Sequence, residues 1–264
     1  MVIPIPSKNM RFTITLGIKA IRPVSVGIII YDPTVHYSDY FRRKVTFRAS
    51  AFKPGRSHYR EIQIPVPVSP ENLVLEVYNK NTLDEDGFKL TKFDVNEMPP
   101  AEVWASPERH RFMDFAIRFA QKAGFAKPGF YHSPDHEFLI QYLPTITDDF
   151  GSELVTPARI HRQMPRVQLS QKLFQQFTIP VRVAVLSHEG CHFFMNTRSE
   201  RNADLCGIQY YLDYGFPTIE AVYAATKVFK QHPESIGKPH IDRTSDILDF
   251  IDKYKEDKNL KKAS

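Results

Sequence analysis

VRVAVLSHEGCHFFMNTRSERNADLCGIQYYLDY, running from Val181 to Tyr214, is the stretch whose reading organises the rest of the chain. It contains His188-Glu189-x-x-His192. Histidines four apart on a helix project from one face, close enough to share a tetrahedral zinc ion. Glu189 falls beside them and can take the proton from a water held by that ion. Val183 to Leu186 make the helix apolar on all sides, as expected for a helix buried beneath a cleft. Asn196 to Ser199 then read as a tight turn whose Ser199 caps a second helix. On that helix Glu200, Ala203, Asp204, Gly207 and Tyr211 share one face, and the small Ala203 and Gly207 allow a close antiparallel hairpin. Antiparallel packing sets Glu200 nearest His192, as third metal ligand. It sets Asp204 nearest His188, where it can accept a hydrogen bond from the far ring nitrogen. Both carboxylates lie on the ligand face, so either Glu200 or Asp204 could complete the metal sphere.

His188-Glu189-x-x-His192 followed by Glu200-x-x-x-Asp204 resembles the gluzincin branch of the zinc metallopeptidases, the thermolysin-like zincins. The resemblance covers Val181 to Tyr214 and implies a zincin-like α+β domain. It also implies Zn2+ held by His188, His192 and Glu200, with Asp204 behind the histidine. The activity implied is peptide-bond hydrolysis by a metal-bound water, with Glu189 as general base and a peptide or protein as substrate. Seven residues separate His192 from Glu200, fewer than is usual in that class. A metzincin pattern is excluded, because its Gly and third His would fall at Met195 and Arg198. His232-Pro233 with Pro239-His240-Ile241-Asp242-Arg243 looks like the His-Pro…Arg segment of CAAX-prenyl-protease zincins, which makes His232 a candidate catalytic residue for proton donation or oxyanion stabilisation, with His240 as the other. The short spacing, with Ala203-Asp204-Leu205 and Gly215-Phe216-Pro217, is also similar to zincin-like proteins of crAss-like tailed phages. That likeness carries an alternative: a subunit of a virion neck or tail ring, with the zincin domain as scaffold or assembly protease.

Working towards the N-terminus, Ser106-Pro107-Glu108 reads as a helix start, and Phe112, Phe115, Ala116, Phe119, Ala120 and Ala123 form its apolar stripe. Phe138–Leu143 and Arg166–Leu169 read as short strands, the second of them able to pair with an extended peptide. The first hundred residues have a period of two. Strands are expected at Arg11–Ala20, Val24–Tyr31, Arg43–Ala51, Tyr59–Val66, Leu73–Tyr78 and Phe88–Val95, punctuated by Pro and acidic turns. The expected fold is α+β, with an antiparallel β-sandwich or barrel over 1–98 and the zincin-like domain over 99–264, helical towards its end. The N-terminal domain shows no catalytic constellation. Its expected work is docking, to copies of itself in a homo-oligomer or to other structural subunits.

Composition narrows the field further. Of the 264 residues, 42% are hydrophobic and 12% aromatic, enough to bury a sizeable core and exclude wholesale disorder. The net charge of +5 is spread over Arg42–Arg60 and Lys253–Lys262 as solvated surface, so a nucleic-acid partner is not expected. No apolar run approaches the ~20 residues of a membrane span. The opening MVIPIPSKNM shows no signal peptide, so a cytoplasmic location is expected, or a virion if the phage likeness holds. The two cysteines suggest reduced thiols rather than a disulfide framework: Cys191 as a small core residue, Cys206 pointing away from the ligand face. Tyr210, Tyr211 and Tyr223 read as core aromatics, and His132, Asp135 and His136 as a surface loop.

Overall fold

The computed structural model describes residues 1–51, 57–81, 87–103, 105–161, 164–224, 228 and 238–263. Two compact units divide the chain, Met1–Ala101 and Glu102–Ser264.

The first unit is built from two antiparallel sheets. Strands β1 (Val2–Ile5), β6 (Leu73–Asn79), β3 (Val24–Tyr31) and β4 (Asp39–Phe47) form one, in that order. Strands β5 (His58–Val66), β2 (Phe12–Ala20) and β7 (Phe88–Glu97) form the other. The period of two has its physical reason in burial: Ile14, Leu16 and Ile18 of β2 and Val26, Ile28 and Ile30 of β3 are all fully buried. One strand is displaced from its expected place. Arg43–Ala51 was the expected span, but β4 ends at Phe47, opposite Val24, where its partner β3 begins. With no ladder to continue, Ala49–Ala51 form a single 3-10 turn.

The second unit begins with α1 (Pro107–Lys122), capped by the Ser106 hydroxyl, which accepts from the Arg109 N–H. A mixed sheet follows, in the order β10 (Ala158–His161), β11 (Arg166–Ser170), β9 (Leu139–Leu143) and β8 (Gly129–His132). The strand Arg166–Leu169, expected as a sheet edge open to a peptide, is β11 and is paired on both sides, parallel to β9 and antiparallel to β10. The edge beside it is β10. Helices α2 (Gln171–Phe174), α3 (Ile179–Phe194), α4 (Glu200–Asp213), α5 (Thr218–Tyr223) and α6 (Lys238–Ala263) complete the chain. No helix among the described residues is long and apolar enough to cross a membrane.

Helix α3 is the axis of this unit. Every residue from Ile179 to His192 is buried, and α1, α4, α5 and β10 all touch the helix. Its N-terminal turn carries Arg182, fully buried, whose guanidinium donates to the carbonyls of Phe174 and Gln175 at the end of α2 and of Ala120 near the end of α1. A buried cation thus satisfies helix-end carbonyls that have no intrahelical partner and meets the negative ends of both helices. Arg182→Met should strand the buried Ala120 carbonyl and take a charged donor from the Phe174 and Gln175 carbonyls, so denaturant unfolding should register a loss of about 1–3 kcal/mol. A loss under about 1 kcal/mol would show that the carbonyls find other partners.

Candidate metal centre

The His-Glu-x-x-His motif occupies the last turns of α3, and the Glu-x-x-x-Asp motif opens α4. Between them the chain reverses in few residues. Asn196 takes the left-handed conformation with φ 45°, as often happens just after a helix end. Thr197 Oγ1 accepts from the Ser199 N–H, and Ser199 Oγ accepts from the Asn202 N–H to cap α4.

Glycines set how closely the elements approach the motif. A Cβ at Gly207 would lie 2.8 Å from the His188 backbone nitrogen and 2.9 Å from its Cα, so α4 rests directly on the α3 main chain. A Cβ at Gly190 would run into the Phe112 ring of α1. The motif is therefore gripped from two sides at positions where a side chain would hold the neighbours away.

Three donors converge across this contact. His188 Nε2 and His192 Nε2 are 3.1 Å apart, and the two Glu200 carboxylate oxygens lie 3.5 Å from the first and 3.4 Å from the second. Ligands at about 2.0–2.1 Å in a tetrahedron stand roughly 3.3 Å from one another, so the three donors are spaced as such an ion requires. The far nitrogens are already engaged. His192 Nδ1 donates to the Thr197 carbonyl at 2.9 Å, and His188 Nδ1 lies 2.9 Å from Asp204 Oδ1. Those contacts turn both Nε2 lone pairs towards the common centre. Among the described residues this is the one cluster of at least three His, Cys, Asp or Glu side chains able to hold a metal ion. Glu200 is half exposed, which opens the centre to solvent on its side.

Of the two carboxylates, Glu200 joins the cluster and Asp204 stands behind His188, fully buried. Arg243 of α6 grips Asp204 with Nε at 2.7 Å and Nη2 at 3.0 Å, and lies 3.4 Å from Glu200 Oε2. Charges explain the titration. Burial alone would push the His188 imidazolium down, yet hydrogen bonds to Asp204 and Glu200 outweigh it and raise the ring to about 10. Those same hydrogen bonds from His188 and His192 hold Glu200 well below the usual carboxylate range. In the metal-free chain a proton therefore occupies the place a cation would take. Glu189 is buried beside the cluster without joining it; burial raises its carboxyl, and the neighbouring His188 and the Ile160 backbone N–H of β10 pull the other way.

The remaining candidates separate clearly. His232 lies outside the described residues, as does the side chain of His240. Tyr211 is buried, stacks on Phe216 and donates to the Pro217 carbonyl, while Tyr210 accepts from Arg109. Tyr223 is exposed at the end of α5 rather than in the core. His132, Asp135 and His136 stay on the surface, where Asp135 is taken up by Ser133 and Arg111. The cysteine reading is corrected in part: Cys191 is the buried core residue expected, but it and Cys206 are not thiols and form a disulfide between α3 and α4, because the hairpin brings their Cα atoms to 6.0 Å. Neither Arg243 nor the Thr197 carbonyl has a role that spacing along the chain reveals; both are set by position in the fold.

No protein-family model, curated protein or solved structure matches this chain.

Three outcomes are expected of this centre. Divalent metal should displace the His188 proton, so binding near neutral pH should release about one proton, measured by calorimetry in buffers of differing ionisation enthalpy. Because His188 stays protonated up to about 10, apparent affinity should rise with pH, by up to about tenfold per unit. Affinity independent of pH would mean the donors lie elsewhere. Glu200→Gln should weaken metal binding far more than Asp204→Asn, whose loss should be roughly 10–100-fold; the reverse order would make Asp204 the ligand.

Proposed function

We propose that the chain is a zinc-dependent metallopeptidase. The observation that carries this reading is the convergence of His188 Nε2, His192 Nε2 and Glu200 at 3.1–3.5 Å beside the buried, non-ligating Glu189. Two imidazoles and one carboxylate are a donor set that suits zinc. A zinc ion held by His188, His192 and Glu200 would supply Lewis acidity, polarising a peptide carbonyl and making water acidic near neutral pH.

The chain's own residues supply the rest. Glu189, its carboxyl raised by burial, stands where it can take a proton from the attacking water and return it to the leaving amine. Asp204 fixes the His188 ring, and Arg243 fixes Asp204. The edge strand β10 pairs on one side with β11 among the described residues, and its Ile160 N–H reaches Glu189. An extended peptide laid along that edge would bring its carbonyl to the base.

Glu189→Gln should retain the metal yet lower hydrolysis of an unfolded protein substrate by roughly 100-fold or more. Unchanged turnover with metal in place would remove Glu189 as base, and full metal occupancy with no hydrolysis in the unaltered chain would remove the peptidase reading.

A further inference from the structure

The disulfide joins the two helices at the centre itself. Cys191 stands between Glu189 and His192 in the motif, and Cys206 follows Asp204 by two positions. The ring it closes, with its ends 15 positions apart, contains His192, Thr197, Glu200 and Asp204. The donors come from both helices, and without the bond the chain joins them only through the turn at Met195–Ser199. Cys191 is buried, whereas Cys206 is half-buried.

We propose that the Cys191–Cys206 bond is a redox clamp on the metal centre: closed, it holds α3 and α4 at ligand distance, and opened by a thiol it weakens the hold on the metal. The proposal rests on the reading of His188, His192 and Glu200 as metal ligands. Opening begins when a reductant thiolate attacks Cys206 Sγ, forming a mixed disulfide and expelling Cys191 as thiolate. A second thiol of the reductant then displaces Cys206, so the reductant leaves as a disulfide and the protein carries two thiols. Closing is the reverse, with two electrons and two protons passing to a disulfide oxidant. The clamp acts by preorganisation. A cross-link restricts the open ensemble of the hairpin, and the donors it confines lose less freedom when an ion arrives.

The test uses the full chain in three forms: oxidised, phosphine-reduced, and the Cys191→Ala/Cys206→Ala double variant, which has no thiol to take the metal. Alkylation mass should find no free thiol in the oxidised form and two after reduction. Zinc affinity, read by competition with a chromophoric chelator, should fall by about tenfold or more in both open forms. Circular dichroism should show that their helices remain. Equal affinity in closed and open forms overturns the clamp while leaving the metal centre intact. A chain purified under oxidising conditions with two free thiols and full affinity overturns it as well. No zinc bound in any form overturns the metal reading itself, and the clamp with it.

Discussion

A methyl group at position 207 would sit 2.8 Å from the His188 backbone nitrogen, so the gap between α3 and α4 is set by a missing side chain. That gap governs the site. Glu200 reaches both histidines and Asp204 reaches the back of His188 because the α4 main chain lies against the α3 main chain. The same closeness brings Cys191 within bonding distance of Cys206. A wider hairpin would part the carboxylates from the imidazoles, and the charge balance that lifts His188 and depresses Glu200 would disappear.

The second constraint is electrostatic. Glu189, Glu200 and Asp204 gather around two imidazoles in a mostly buried place, a concentration of negative charge that a folded chain must compensate. Arg243 supplies part of that compensation through its fork on Asp204, and the His188 proton supplies more. Arg182 does comparable work one helix end away, against carbonyl dipoles rather than carboxylates. The apolar helix α3 thus carries buried polar groups at both ends, each with named partners.

Much of this was legible in the sequence because the decisive residues interact at short range. Helical spacing puts His188 and His192 on one face, and the small residues at Ala203 and Gly207 announce a close partner. Period-two alternation located β2, β3, β5, β6 and β7 because alternate positions along them carry the apolar side chains. The four-residue strands β1, β8 and β10 were missed, since so short a run shows no periodicity. The displacement of β4 depends on where β3 begins to pair, which local pattern does not encode. Arg243 and the disulfide were invisible for a related reason. Each depends on a tertiary distance, between α6 and α4 in one case and across the hairpin in the other.

The three donors lie within a short span of chain, from His188 to Glu200, whereas Arg243 follows 39 positions after Asp204. Contacts between near neighbours close with little loss of chain entropy and form early. During synthesis the ligand hairpin therefore emerges and can bring its donors together before α6 exists to steady Asp204. The centre has an order of assembly written into its contact separations: local donors first, the distant arginine last.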